Sequence, residues 1–189
     1  MKILITGGNG QLGTALAKKS PKGTKIFCFN KKEFNLLDLN LCKNKILEIK
    51  PNWIINAAAY TKVDNAEKEK EKVFSINANA VELLAKTVSS YGGRLLQIST
   101  DFVFDGKKLA PYQPQDKLNP LNVYGASKKK GEELALKYDR NIVLRTSWVY
   151  GDSGENFFLK ILEHNKKQTN ILKVVNDQFG CPTNVINLA

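Results

Sequence analysis

The sequence predicts an α/β fold: a doubly wound parallel sheet with helices on both faces. Three observations carry that prediction. Short apolar runs alternate with stretches of helical spacing along the chain, the pattern of a sheet buried on both sides. The first run leads directly into a glycine turn, Thr6-Gly7-Gly8-Asn9-Gly10-Gln11-Leu12-Gly13, which reads as a strand-to-helix connection. Residues suited to chemistry fall just after successive strands, where such sheets hold their ligands.

In order, Lys2–Thr6 is a strand and about Gln11 to Lys19 a helix. Lys25–Phe29 is the second strand. Leu41–Ile49 has helical spacing, broken by Pro51 before the strand Trp53–Asn56. One long helix is expected from about Ala66 to Tyr91, with Val73, Phe74, Ile76, Ala80, Leu83, Leu84 and Val88 on its apolar positions and Gly92-Gly93 ending it. Arg94–Ile98 is the fourth strand. A loop containing Gly106, Pro111, Pro114 and Pro120 is too long for a mere connector and reads as a site loop. A helix follows over Tyr124–Tyr138, then a strand over Asn141–Arg145, a helix over Asn156–Glu163 and a sixth strand over Ile171–Val175. The expectation is one domain over residues 1–189.

Composition narrows the function. The 189 residues, 42% apolar and 25% charged, suit a globular domain with a real core. No apolar run approaches the ~20 residues of a membrane span, and the apolar start enters the glycine turn too soon for a signal segment. Cys28, Cys42 and Cys181 form no close pair, and His164 is the single histidine, so no metal site is expected. An odd cysteine count without a signal segment fits a reducing, cytoplasmic setting. The net charge of +11 comes almost wholly from scattered lysines; Arg94, Arg140 and Arg145 are the three arginines. Without a nucleic-acid-binding motif this reads as a solvated surface, and neither a nucleic-acid nor a membrane partner is expected.

The chemistry rests on a few residue types in order. Gly7 permits the tight turn, Gly10 lets the backbone approach a pyrophosphate, and Gly13 lets helix pack closely on strand. The second strand ends Phe29-Asn30-Lys31-Lys32. Asn30 does not repel a ribose 2′-phosphate and Lys31 neutralises it, which favours NADPH with NADH tolerated; an ordinary polar loop is the competing reading. Asp38 and Leu39 suit an adenine edge and face, or simply a helix N-terminus. Ala57, Ala58 and Ala59 suit a cofactor passing close to the backbone, or tight packing.

Tyr124 and Lys128 lie four apart in Tyr124-Gly125-Ala126-Ser127-Lys128 and so share a helix face. A free tyrosine ionises near pH ~10. The nearby cation is expected to favour the phenolate and lower that value, while Lys128 also holds the cofactor ribose. Thr100 in Ser99-Thr100-Asp101 can hydrogen-bond the oxygen that Tyr124 protonates. Together these predict hydride transfer from a nicotinamide to a carbonyl. Trp148, after the fifth strand, either stacks on a sugar or base or packs in the core. His164 reads as a surface residue.

These motifs resemble the extended short-chain dehydrogenase/reductases, and more narrowly the dTDP-4-dehydrorhamnose reductase family. The resemblance runs the whole length: Gly7–Gly13, Pro51–Thr61, Val63–Glu67, the run Ser99-Thr100-Asp101-Phe102-Val103-Phe104-Asp105-Gly106, Pro120–Gly125 with Ser127-Lys128, Arg145-Thr146-Ser147-Trp148-Val149-Tyr150-Gly151, and Asn176–Thr183. It implies a Rossmann-like fold and reduction by NADPH or NADH of the 4-keto group of a dTDP-6-deoxyhexulose, giving dTDP-L-rhamnose. It places catalysis on Thr100, Tyr124 and Lys128, sugar-nucleotide contacts on Thr100, Asp101 and Trp148, and cofactor contacts on Gln11, Leu12, Asp38, Leu39 and Ala57–Ala59. It also implies a smaller C-terminal substrate subdomain, here largely absent, whose first part would be residues 176–189. A metal-linked dimer is not carried over, because Ala15 stands where a family glutamate would be; a homodimer stays open. Two other readings remain: another nucleotide-sugar reductase or epimerase, and a non-catalytic NADP-binding regulatory subunit. The intact Thr100–Tyr124–Lys128 set argues against the last.

Overall fold

Leu4 and Ile5 are adjacent on one strand, so they point to opposite faces, yet both are buried. The strand β1 (Lys2–Thr6) must therefore be covered on both sides. The structure, a computed structural model, describes residues 1–166, 171 and 173–189. In it β1 pairs in parallel with β2 (Lys25–Phe29) and with β3 (Trp53–Asn56). β4 (Arg94–Thr100) and β5 (Ile142–Thr146) complete a five-stranded parallel sheet of order β2-β1-β3-β4-β5. The order reverses between β1 and β3, and that switch point opens a crevice at the carboxyl ends.

One face is covered by α2 (Leu39–Ile49), α5 (Ala80–Ser89) and α6 (Val123–Ala135). There Ile46, Leu84, Val88 and Ala135 pack with Leu4, Ile54 and Leu95. The other face is covered by α1 (Gln11–Lys18) and a short terminal helix, α8 (Val185–Leu188); Leu12, Ala15 and Val185 pack there with Ala57, Ile98 and Val149. A two-stranded parallel sheet, β6 (Val149–Tyr150) with β7 (Thr183–Asn184), brings the tail back towards α1, where Lys19 Nζ donates to the Ile186 carbonyl at 2.8 Å. The helix α7 (Phe157–Lys166) has no buried residue.

A polar ladder crosses the sheet interior. At the matched positions Thr6, Asn56 and Gln97, the Thr6 hydroxyl donates to Asn56 Oδ1 at 2.6 Å and Asn56 Nδ2 donates to Gln97 Oε1 at 2.7 Å. Gln97 Nε2 then donates to the Ile98 carbonyl at 2.7 Å. Each buried polar group thereby meets a partner, as burial requires.

Two expectations are corrected. The single helix from Ala66 to Tyr91 is instead α3 (Val63–Ala66), a bend, α4 (Lys70–Phe74), a π-helical segment over Ser75–Asn79, and α5. Apolar spacing could not foresee this, because tertiary bonds to polar groups shape the segment. Glu67 Oε1 accepts from the Val123 N–H at 2.8 Å, and Asn77 bonds both the N–H and the carbonyl of Tyr60. The predicted stop holds: Gly92 has φ +83° and the Gly93 N–H returns to the Val88 carbonyl at 3.0 Å. The predicted strand over Ile171–Val175 is absent at residues 171 and 173–175, while Leu172 lies outside the described residues. Ile171 is 89% exposed and Val175 66%; their β-branched side chains suit a strand, but no strand pairs with them. Among the described residues no helix is long and apolar enough to cross a membrane.

Gly131 brings α6 against the π segment, since a Cβ there would stand 2.2 Å from the Asn77 carbonyl oxygen. Gly131→Ala is expected to destabilise the fold by about 1–3 kcal/mol through overpacking, read as a lower urea midpoint with an unchanged m-value.

Candidate functional site

The glycine turn sits at the switch point. Gly7 has φ +70°, and a Cβ on it would lie 3.0 Å from both Ala57 O and Ala58 N, so glycine is required where β1 meets the end of β3. A Cβ on Gly13 would lie 2.3 Å from the Gly7 carbonyl oxygen. Gly10 differs: its Cβ would meet the Gly7 oxygen alone, at 3.2 Å, so the outer side of the turn is open. Gly10 is also the N-cap of α1, and no side chain caps the helix there. The first-turn N–H groups and the positive end of the helix dipole therefore face an open cradle that suits a diphosphate.

The neighbouring positions divide into backbone and side-chain contributors. Leu12 is buried beside Ala15 and Val185, so its side chain serves the core and its backbone the turn. The Gln11 side chain is engaged: Nε2 donates to the Glu155 carbonyl at 3.2 Å, and Oε1 accepts from Asn156 Nδ2 at 3.0 Å. It braces the segment after β6 against α1. Ala57, Ala58 and Ala59 line the crevice from β3 as partly buried residues, with the Ala58 N–H donating to Thr6 Oγ1 at 3.2 Å.

At the end of β2, Asn30 Oδ1 accepts from the N–H groups of Lys32 and Glu33 at 2.8 and 3.2 Å. The Asn30 N–H donates to Glu33 Oε2 at 3.0 Å. Lys31 is exposed beside this turn. Glu33 is thus an acidic neighbour that the sequence reading did not weigh; its offset from the strand end hid it. Asp38 Oδ1 accepts from the Leu41 N–H at 2.9 Å and caps α2, as the helix-terminus alternative anticipated. Leu37 and Leu39 stand exposed beside it.

β4 and α6 bring Thr100, Tyr124 and Lys128 to the same end of the sheet. Asn122 caps α6, accepting from the Gly125 N–H at 2.7 Å, and the ring of Phe102 meets Tyr124 edge-on with centroids 5.7 Å apart. Thr100 Oγ1 donates to Asp101 Oδ1 at 3.0 Å and accepts from the Phe102 N–H at 3.2 Å. Burial pushes the Tyr124 phenol above its ordinary value; the Thr100 hydroxyl opposes that shift and the Asp101 carboxylate adds to it. Burial likewise raises the Asp101 carboxyl, with the Thr100 hydroxyl opposing.

Here the structure corrects an expectation. The Lys128 ammonium is buried and donates to the Ile98 carbonyl at 2.6 Å, so desolvation, not a cation, governs the phenol. The same burial lowers Lys128 to about 8, opposed by the Glu132 carboxylate. Tyr124 and Lys128 do share the predicted face of α6. Trp148 is 46% exposed with φ +46°, so it is not a core residue; its indole covers Gly180, where a Cβ would lie 2.6 Å from Trp148 Cε2.

Several supporting residues escaped the sequence reading. Glu132 is buried, continues the Tyr124–Lys128 spacing by another four residues, and is held by Arg145 and by the Ser99 hydroxyl. Arg145 was visible as one of three arginines in a lysine-rich chain. Asn77, on the π segment, donates through Nδ2 to Ser127 Oγ at 3.0 Å and so docks α6 on the loop after β3. Among the described residues no group of three or more His, Cys, Asp or Glu is placed to hold a metal ion.

Comparison with known proteins gives this site a family. The RmlD substrate binding domain matches residues 1–189. The chain belongs to that family. It is 42% identical over 185 residues to a dTDP-4-dehydrorhamnose reductase of Aggregatibacter actinomycetemcomitans, covering 96% of this chain and 63% of the relative. The crystal structure of the Bacillus anthracis dTDP-4-dehydrorhamnose reductase in complex with NADP superposes with a TM-score of 0.94 at 39% identity, covering 99% of this chain and 67% of that one. A Clostridium acetobutylicum dTDP-4-dehydrorhamnose reductase gives 0.94 at 37% identity, covering 100% and 67%. The chain thus spans about two thirds of the length of the relatives it matches.

Lys128 yields a test of the site's electrostatics. Its ordinary value is 10.5 and its folded value about 8, so between those pH values the unfolded state binds more protons and stability rises with pH. Lys128→Met removes that slope. The unfolding free energy of the unsubstituted protein, measured relative to Lys128→Met, is expected to rise from pH 8 to pH 10.5 by on the order of 3 kcal/mol, followed by urea titration at each pH.

Proposed function

We propose that this chain provides the cofactor-binding and catalytic portion of a dTDP-4-dehydrorhamnose reductase, which reduces the 4-keto group of dTDP-4-dehydro-6-deoxy-L-mannose to give dTDP-L-rhamnose. The observation that carries the reading is the Thr100 hydroxyl beside the Tyr124 phenol, with Lys128 four residues on in α6, in a sheet whose first strand leads into the open glycine turn. The relatives named above carry that activity in their names, and one is a complex with NADP.

The Gly7–Gly13 turn and the uncapped start of α1 would hold the diphosphate, with Ala57–Ala59 beside it and Asp38 and Leu39 at the adenine end. Lys31, with Asn30, would face the ribose 2′ position. NADPH supplies a hydride to the carbonyl carbon when bound, with NADH as the second choice. The chain's own groups do the rest. Thr100 orients and polarises the carbonyl oxygen through its hydroxyl. Tyr124 delivers a proton to that oxygen; a phenol kept neutral by burial is the form able to do so. Lys128, four residues on, would hold the ribose hydroxyls. Asp101 and the exposed Trp148 indole would contact the sugar nucleotide.

The test is turnover of NADPH with dTDP-4-dehydro-6-deoxy-L-mannose by the purified chain. Tyr124→Phe is expected to lower kcat by about 10²–10⁴-fold, with NADPH affinity retained. NADPH binding without turnover in the unsubstituted chain would instead favour a binding subunit. Cofactor choice has its own check: Lys31→Glu is expected to weaken NADPH by about tenfold, about 1.4 kcal/mol, and to leave NADH nearly unchanged in a fluorescence titration.

A further inference from the structure

We infer that Arg145 is a positioning residue that ties the long loop between β4 and α6 to the catalytic face of α6, and so fixes Thr100 relative to Tyr124. The inference rests on the reductase reading above. Arg145 lies on β5, and its guanidinium forks onto Glu132: Nε donates to Oε1 at 3.0 Å and Nη2 to Oε2 at 2.6 Å. The Glu132 side chain is 2% exposed and that of Arg145 22%. The remaining arm, Nη1, donates to the Pro114 carbonyl at 2.9 Å, and the guanidinium lies 5.1 Å from the Phe104 ring centroid. One planar cation thus touches the helix, the base of the loop and its far side. Glu132 in turn accepts from the hydroxyl of Ser99, the neighbour of Thr100.

The loop it grips is ordered by its own contacts. Phe104 stacks on Tyr112 with centroids 4.1 Å apart, and the Tyr112 hydroxyl donates to Asp105 Oδ1 at 3.0 Å. Lys108 pairs with Asp116. The loop leaves the sheet just after Thr100 and Asp101 and returns just before Tyr124, so its two ends carry the two groups that must meet one carbonyl oxygen. Arg145 and Glu132 need not touch substrate. They set the separation of the groups that do.

Arg145→Lys separates this role from simple charge balance. A lysine keeps a cation for Glu132 but loses the planar fork that grips both Glu132 oxygens while a third nitrogen holds the Pro114 carbonyl. In Arg145→Lys, amide hydrogen exchange over residues 105–118 is expected to quicken by about tenfold, with β4 and α6 protected as before. In the same protein kcat is expected to fall by about tenfold or more with the Kd for NADPH held within about twofold. Glu132→Gln, which leaves the guanidinium without its charged partner, is expected to quicken the same loop. Unchanged exchange and kcat in Arg145→Lys would overturn the inference by reducing the residue to charge balance. Exchange that quickens equally through β4 and α6 would overturn it by showing a general loosening. If the unsubstituted chain does not reduce the dTDP sugar, the reductase reading fails, and the exchange pattern by itself decides whether Arg145 holds the loop.

Discussion

The site depends first on register. Thr6 and Asn56, at the carboxyl ends of β1 and β3, stand side by side with Gln97 in the middle of β4 and bond in sequence across the sheet. A slip of one residue between these strands would send each side chain to the opposite face and strand three buried polar groups without partners. The ladder therefore penalises every alignment but one. With that alignment set, the glycine turn after β1, the alanines after β3 and Thr100 at the end of β4 open onto the same crevice. The apolar residues beneath drive the sheet together, but Leu4, Ile54 and Leu95 would pack almost as well in other company.

Burial, more than pairing of charges, sets the electrostatics above that crevice. Desolvation raises Tyr124 and Asp101 and lowers Lys128, so all three are biased toward their neutral forms. The Glu132 carboxylate lies in surroundings built for an anion: a guanidinium on both oxygens and the Ser99 hydroxyl. A lone buried carboxylate would be costly, and breaking such a pair costs more than never having it. The result is an ion pair of Glu132 and Arg145 beneath catalytic groups whose charged forms burial disfavours.

The fold was legible where a single local rule governed. The five main strands, the glycine turn and the Gly92 stop follow from apolar runs, turn chemistry and φ preference. The shared face of Tyr124 and Lys128 follows from helix geometry. What stayed hidden depends on groups far apart in sequence. Whether Asp38 caps α2 or meets a ligand was left open because both use the same carboxylate. The cation effect on Tyr124 was misjudged because four-residue spacing fixes a face but not where a long side chain ends, and Lys128 ends on the Ile98 carbonyl. Trp148 could not be assigned from its neighbours, since neither its positive φ nor its exposure is written in the residues beside it. Ile171–Val175 reads as a strand from composition, yet a strand needs a partner edge, and the described residues 171 and 173–175 pair with none.

The π-helical stretch over Ser75–Asn79 holds a residue more than regular winding would need. One residue is worth about 100° of rotation about the helix axis, so the stretch acts as a phase shifter between the turns before and after it. Both Val73 ahead of it and Leu84 behind it are buried, while Asn77 is turned toward Tyr60 and Ser127. Shortening this stretch by a single residue would leave a perfectly good helix whose two halves no longer agree on which side is inward. The amide that clasps α6 would then be traded for an ordinary i-to-i+4 repeat, and the tyrosine-bearing helix would lose its footing without any change to its own sequence.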